Sequence, residues 1–245
     1  MPSPPLACRA LAVHVKIANA FAGLILIQER GCNLSLMRHP RFDQAACDQL
    51  ASCVRDIETR TDAEIVIAVR ARSGYYRHAD YLFGAIAGFL TLIFLLFSPF
   101  EFNHYWVAID VALLFVIGAY ICSRSNALRR LLTTEDFRAD SVRNGAAAMF
   151  YEAGIANTEA EMGVLIYLSL LERRLELIAD RGILKAAPPL EWNECVYELH
   201  RAGRMPELQS LLKCLQDLGQ LLAEHLPPTG ENPNELPDMP RFDLK

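Results

Sequence analysis

The sequence predicts an α/β domain that is interrupted by a two-helix transmembrane hairpin. Residues 81–123 are apolar and carry only two formal charges, Glu101 and Asp110. Segments rich in β-branched residues, typical of strands, occur on both sides of this stretch. Segments with helical spacing of apolar residues accompany those strands. Because both ends of a membrane hairpin emerge on the same side, the flanking pieces can form one domain with an insertion.

The predicted hairpin consists of "LFGAIAGFLTLIFLLFSPF" and "YWVAIDVALLFVIGAYICS", joined by "EFNH". Each apolar segment has about the length needed to cross the bilayer core. The alternative is a buried hairpin of a soluble protein, which the small size of the flanking domain disfavours. Asp110 lies inside the second segment. It is either a functional intramembrane carboxylate or a side chain that reaches the nearby interface.

The charges around the hairpin predict its orientation. Arginines precede the first span and follow the second, whereas the connection contains no Lys or Arg. They are Arg70, Arg72, Arg77, Arg124, Arg129 and Arg130. The positive-inside rule therefore places both soluble segments in the cytoplasm, with the chain in the inner (plasma) membrane.

The composition narrows the function classes. Hydrophobic residues make up 52% of the 245 residues, which agrees with an integral membrane protein. The net charge of −5 gives no basic surface for nucleic acid. The seven cysteines form no CxxC pair, which favours reduced thiols and disfavours a zinc site or a disulfide framework.

The ends of the chain are predicted to lie outside the folded domain. Residues 1–36 are an uncertain extension, because the apolar run within them lacks a convincing signal cleavage site. The tail, residues 227–245, is rich in Pro and acidic residues and is predicted to be disordered. The domain is then expected in two parts, residues 37–80 and 124–226, on either side of the hairpin at 81–123.

The soluble parts contain a predictable series of elements. We expect a helix over residues 42–58, a strand in "AEIVIAVRA", and a helix in "EDFRADSVRNGAAAMFYEAG". The stretch "GVLIYLSLLERRLELIADRGI" has two readings. It is either a β-hairpin with its turn at Glu172 and Arg173, or one helix with a charged face. The two-residue alternation of Leu175, Leu177 and Ala179 favours the hairpin.

Two further helices are expected near the C-terminus, in "LEWNECVYELHRAG" and "MPELQSLLKCLQDLGQLLAEHL". Pro206 is placed as a residue that starts a helix. The second helix carries a leucine stripe, which is either part of the core or a surface for a helical partner or a second copy. Its members are Leu208, Leu211, Leu212, Leu215, Leu218, Leu222 and Leu226.

Several stretches of the sequence resemble a known family. "TDAEIVIAV", "FYEAGIANTEAEMGVLIYLSLLERRLELIADRGI" and the following Trp192 are similar to the TPM domain, in particular to bacterial members in which two spans interrupt the domain. The resemblance implies an α/β/α sandwich with a small central sheet. It also points to Thr158, Glu172, Arg173 and Gly182 as candidate site residues.

The resemblance leaves the activity open, because some family members are weak acid phosphatases or bind divalent metal and others are assembly factors. Asp62, Glu64 and Asp180 flank predicted strands, and carboxylates of this kind suit Ca²⁺ or Mg²⁺. Alternatively, Asp180 caps a turn and Glu172–Arg173 is a solvated turn. Arg173 and Arg174 could bind phosphate or face lipid headgroups.

Two functions are therefore expected as alternatives. The first is a membrane-anchored, cytoplasm-facing interaction or assembly module that binds a protein partner or itself. The second is a weak divalent-metal-dependent phosphatase. The sequence has no Gly-rich phosphate loop and no GxSxG motif, so it does not decide whether the protein is an enzyme.

Overall fold

The computed structural model describes residues 44–99, 104–158, 160–205, 207–229, 236 and 241–243. The predictions for residues 1–36 and for Pro206 fall outside these ranges. The described residues form two compact units. The helical unit comprises residues 75–134, and the sheet unit comprises the described residues up to Gly74 and from Glu135 onward.

The elements in chain order are α1 (Gln44–Glu58), β1 (Glu64–Arg70), α2 (Arg77–Phe97), α3 (His104–Arg124), α4 (Asn126–Leu132), α5 (Glu135–Glu152), β2 (Gly163–Ser169), β3 (Arg174–Ala179), α6 (Arg181–Ala186), α7 (Pro189–Arg204), α8 (Leu208–His225) and β4 (Arg241–Asp243). A short 3₁₀ helix, Ile155–Asn157, follows α5. It begins after Gly154, whose positive φ of 76° ends α5 in the way expected of a glycine C-cap.

The sheet unit contains a four-stranded mixed sheet with the order β3-β2-β1-β4. β1 runs parallel to β2, with Glu64 opposite Gly163 and Arg70 opposite Ser169. β2 and β3 are antiparallel, with Val164 opposite Ala179. The predicted β-hairpin of β2 and β3 is therefore confirmed, and the sheet with its helices agrees with the α/β class. The sequence between the paired strands β1 and β2 contains the two long apolar helices.

The two faces of the sheet pack against different helices. Alternate residues of β1 point to opposite faces, so Ile65 and Ile67 belong to one core and Val66 and Ala68 to the other. The first core includes apolar side chains of α1, α7 and α8. The second includes α5 and the 3₁₀ helix. Strands buried on both faces explain why "EIVIAVR" and "GVLIYLS" read as continuous apolar runs.

The leucine stripe of α8 lies in the first core. Leu211, Leu215, Leu218 and Leu222 are all buried there, and Gly219 lies between them against Ile57 of α1. The stripe therefore stabilises the fold, and it is not available as a surface for a helical partner.

The described residues of the tail depart from the prediction of disorder. Residues 241–243 form β4, which pairs in parallel with Ala68–Arg70 of β1. Upstream, Thr229 donates hydrogen bonds from its backbone N–H and its hydroxyl to the Asp62 carboxylate. The prediction is wrong for these residues because β1 would otherwise present an open edge, and the tail supplies the strand that covers it. A three-residue strand next to proline gives little sequence signal.

In the helical unit, α2 and α3 pack against each other in opposite directions. Gly84 of α2 faces Phe115 and Ala119 of α3, and Gly88, one turn later, faces Val111. A side chain at position 84 would come within 2.6 Å of the Phe115 carbonyl oxygen. The small residues thus allow the two backbones to approach closely.

Both α2 and α3 are long and apolar enough to span a membrane. In the most apolar 18-residue stretch of each helix, only 17% is buried for α2 and 11% for α3. A core helix of a soluble protein would be mostly buried, so this low burial favours the membrane over the alternative of a buried hairpin.

Candidate functional site

Glu172 lies in the turn between β2 and β3 and is only 4% exposed. Its Oε1 accepts hydrogen bonds from the backbone N–H groups of Ser73 (2.9 Å) and Gly74 (3.2 Å). Its Oε2 accepts a hydrogen bond from the Ser169 hydroxyl. These contacts fix the segment that leaves β1 onto the β2–β3 turn. The prediction of a solvated turn is therefore wrong for Glu172.

Other polar groups extend this buried network. The hydroxyl groups of Ser73 and Tyr167 are 2.9 Å apart. Ser73, Tyr167 and Ser169 were not singled out from the sequence, because single hydroxyl residues in a strand or loop carry no pattern. Their role depends on the parallel pairing of β1 with β2, which brings the ends of both strands to one edge of the sheet.

The two turn arginines have different surroundings. Arg173 is exposed and has a positive φ of 53°, a conformation that few non-glycine residues adopt. Arg174 donates to the Glu135 carboxylate at 2.8 Å and therefore joins β3 to the start of α5. The structure does not support the prediction that Arg173 and Arg174 together bind phosphate, because Arg174 forms this ion pair with Glu135.

Glu64 and Asp180 lie at the opposite edge of the sheet. Glu64 is the first residue of β1, is 4% exposed, and pairs with Gly163 of β2. The backbone N–H of Asp180 donates to the Gly163 carbonyl oxygen at 2.9 Å. By strand alternation, Glu64 and Asp180 therefore flank Gly163 on the face that holds the second core. A side chain on Gly163 would lie 2.5 Å from Ile155, so Ile155 fills the space above Gly163 between these two residues.

The Asp180 side chain also caps α6. Its Oδ1 accepts a hydrogen bond from the Arg181 N–H at 2.7 Å, whereas Oδ2 is buried without a hydrogen-bond partner among the described residues. The structure therefore agrees with the alternative that Asp180 caps a turn. It leaves the second carboxylate oxygen available for another ligand.

Thr158 lies in the turn that leads to the same edge of the sheet. It is 7% exposed, and its Oγ1 is buried without a hydrogen-bond partner among the described residues. The Thr158 carbonyl oxygen accepts from the Glu161 N–H, and the Glu161 carbonyl oxygen accepts from the Gly182 N–H. A Cβ on Gly182 would lie 2.6 Å from that carbonyl oxygen, so glycine allows the two backbone segments to touch.

The three predicted metal ligands do not form one group. Asp62 does not join Glu64 and Asp180, because its carboxylate binds Thr229. Within the described ranges, no group of three or more His, Cys, Asp or Glu side chains could hold a metal ion. The donors at this edge are hard oxygens, which suit Ca²⁺ or Mg²⁺, but they are fewer than the six to eight oxygens that Ca²⁺ takes.

Trp192 has a structural position. It lies in the first turn of α7 and packs, partly buried, against the first core.

A cavity of about 350 Å³ lies between α7 and α8. Its lining residues are Glu191, Glu194, Cys195, Glu198, Cys214, Asp217, Gln220, Leu221 and Glu224. Burial, and then the nearby Cys214 and Asp217, raise the pKa of the Cys195 thiol to about 11. This thiol is therefore protonated and unreactive at neutral pH.

No protein-family model matches the chain, and no curated protein matches it. Among solved structures, the chain is similar to the NMR structure of the BA42 protein from the psychrophilic bacterium Bizionia argentinensis. The similarity covers 82% of this chain and 94% of BA42, with a TM-score of 0.50 and 15% sequence identity. At this identity the likeness supports a shared fold and carries no residue role from one protein to the other.

Proposed function

We propose that the protein is a membrane-anchored member of the TPM domain family that acts as an interaction or assembly module. In this proposal the sheet unit is an α/β/α sandwich in the cytoplasm, and α2 and α3 form the transmembrane hairpin inserted between β1 and β2. The direct pairing of β1 with β2 over seven residues supports an insertion into one domain rather than an appended anchor.

The observation that carries the interaction role is a pair of exposed apolar side chains on one side of α7. Leu190 and Tyr197 are 84% and 66% exposed. They are seven residues apart, which places them on the same side of the helix. Large apolar and aromatic side chains that are exposed on one side of a helix are a common feature of protein-binding surfaces. The candidate polar residues Asp62 and Glu172, by contrast, are engaged in hydrogen bonds within the fold.

Site-specific photo-crosslinking in native membranes tests this role. A photoreactive residue at Leu190 or Tyr197 should give the same discrete crosslinked species, either with one partner protein or with a second copy of the chain. Tyr151 on α5 is 71% exposed and provides the matched control, which should give no such species. Equal crosslinking from position 151, or none from positions 190 and 197, would contradict the interaction role.

The second candidate is a weak divalent-metal-dependent phosphatase, and one observation favours it. Thr158 Oγ1 and Asp180 Oδ2 are buried oxygens without a hydrogen-bond partner among the described residues, and both belong to segments at the sheet edge where Glu64 lies. Buried polar atoms usually have a partner, so a bound cation would account for them. When bound, such an ion would polarise a phosphoryl oxygen or activate a water molecule.

A titration of the full-length protein in detergent with Ca²⁺ or Mg²⁺ tests this candidate. A cation that binds only the folded state raises the thermal midpoint by mass action. Asp180→Asn should abolish that rise, whereas Asp62→Asn should retain it, because the Asp62 carboxylate accepts its hydrogen bonds from Thr229. An unchanged thermal midpoint in the wild-type protein would refute both the cation site and the phosphatase activity that depends on it.

A further inference from the structure

One end of the helical unit is built around a buried ion pair. Arg129 of α4 donates to the Asp80 carboxylate of α2 through Nε (2.9 Å) and through a terminal guanidinium nitrogen (2.8 Å). Asp80 is 7% exposed and Arg129 is 9% exposed. A bidentate Arg–carboxylate pair has a fixed geometry, so it holds α4 in one orientation against the first turn of α2.

This orientation turns the apolar face of α4 outward. Leu131 follows Arg129 by two residues and therefore lies on the other side of the helix, and it is 80% exposed. Ala127, one turn before Leu131, is exposed as well. Since Arg129 forms the pair with Asp80, its charge serves to place α4.

Three further arginines belong to the same end of the helix pair. Arg77 is the first residue of α2, Arg124 is the last residue of α3, and Arg130 lies in α4. Because α2 and α3 are antiparallel, the start of one and the end of the other meet at this end. The connection at the opposite end contains no Lys or Arg.

An exposed apolar side chain and several arginines at one end of the helix pair match the boundary between lipid headgroups and acyl chains. We propose that α4 lies in this boundary and that Arg77, Arg124 and Arg130 bind the phosphate groups of anionic phospholipids, with the Asp80–Arg129 pair positioning the helix. This inference rests on the proposed membrane anchoring and adds the class of lipid that is recognised.

Native mass spectrometry of the full-length protein in detergent, with equal amounts of phosphatidylglycerol and phosphatidylcholine added, tests the inference. The wild-type protein should retain phosphatidylglycerol at least about tenfold more than phosphatidylcholine. The variant R77Q/R124Q/R130Q should lose this preference. The control R143Q/R201Q/R204Q makes the same charge change on exposed arginines of the sheet unit and should keep it. A preference that survives in the first variant, or is lost equally in both, would overturn the inference.

Asp80→Asn separates positioning from net charge. The substitution makes the region more positive, so charge alone predicts stronger retention of phosphatidylglycerol, whereas the loss of orientation predicts weaker retention. We expect weaker retention in a protein whose thermal midpoint shows that it is folded, and stronger retention would refute the positioning role. Displacement of the lipid by inorganic phosphate would show a free-phosphate site and overturn the lipid assignment.

The anchoring itself is tested separately. R77Q/R124Q/R130Q should remain in the membrane pellet after an alkaline wash, although it has lost its lipid preference. Release of the wild-type protein by the same wash would refute the membrane anchoring. A protein that stays in the pellet but shows no preference for phosphatidylglycerol would refute only the lipid inference.

Discussion

Glu172 illustrates how one buried carboxylate can hold two parts of the chain together. Replacing it with Gln keeps one oxygen for the N–H groups of Ser73 and Gly74 but puts an NH₂ group, which cannot accept, opposite the Ser169 hydroxyl. The substitution also removes the charge that strengthens these bonds. We expect Glu172→Gln to lower the free energy of unfolding by about 1–3 kcal/mol. Thermal unfolding of the full-length protein in detergent measures the change as a midpoint lower by several degrees.

Arg173→Gln is the matched control for this prediction. Arg173 is the next residue in the same turn, but its side chain is exposed. A surface substitution of this kind changes stability by no more than about 0.5 kcal/mol. Equal destabilisation by the two substitutions would mean that the turn, rather than the buried carboxylate, sets the stability.

The Cys195 thiol makes stability depend on alkaline pH. Burial raises its pKa from 9.0 to about 11, so the folded state holds the proton more tightly than the unfolded chain. The stability linked to this group is fully present below the unfolded pKa and is lost as the pH rises through about 11. Cys195→Ala should therefore flatten the decline of the thermal midpoint across this range. Gln220→Ala, a change at a non-titrating residue of the same cavity, should leave the decline as steep as in the wild-type protein.

At the scale of single elements, α8 shows what a periodic pattern can and cannot decide. The spacing of its leucines predicts an amphipathic helix, and the structure contains that helix. The spacing is the same for a leucine that faces the core and one that faces a partner, so the sequence left both possibilities open. The packing of Leu215 and its neighbours against α1 and the sheet decides for the core.

Leu215→Ala tests this assignment. Leu215 is fully buried, and its truncation should lower the free energy of unfolding by about 2–5 kcal/mol because a cavity remains. Gln216→Ala, on the exposed side of α8, should change it by less than about 0.5 kcal/mol. If Leu215 instead faced a partner, its truncation would leave the midpoint of the isolated protein unchanged.

The sequence predicted long, continuous patterns well and close contacts poorly. The apolar helices, β1 and the β2–β3 hairpin follow from composition and alternation, which are local properties. The grouping of Asp62 with Glu64 and Asp180 depended on how the chain ends pack. The Asp62 carboxylate accepts hydrogen bonds from Thr229 and does not join Glu64 and Asp180. No local sequence pattern predicts a contact between residues 167 positions apart.

At the scale of the whole molecule, the pairing of β1 with β2 requires that the chain return to the same sheet after α3. If α2 and α3 span the membrane, both ends of the hairpin therefore lie on one side, and the arginines predict that this side is the cytoplasm. A cysteine at Asn103, in the connection between the spans, should react with a membrane-impermeant maleimide in intact cells. A cysteine at Asn157, an exposed residue of the sheet unit, should react only after permeabilisation.

The labelling uses full-length protein in which the seven native cysteines are replaced by Ser, so that each signal comes from the introduced thiol. Labelling of position 157 from outside, with position 103 protected, would invert the orientation but keep the hairpin. A cysteine at the exposed Glu152 repeats the test of the sheet unit at a second position and should label like the cysteine at position 157. Positions 103 and 157 that both react in intact cells would contradict a hairpin that crosses the membrane twice, because its connection and its sheet must lie on opposite sides.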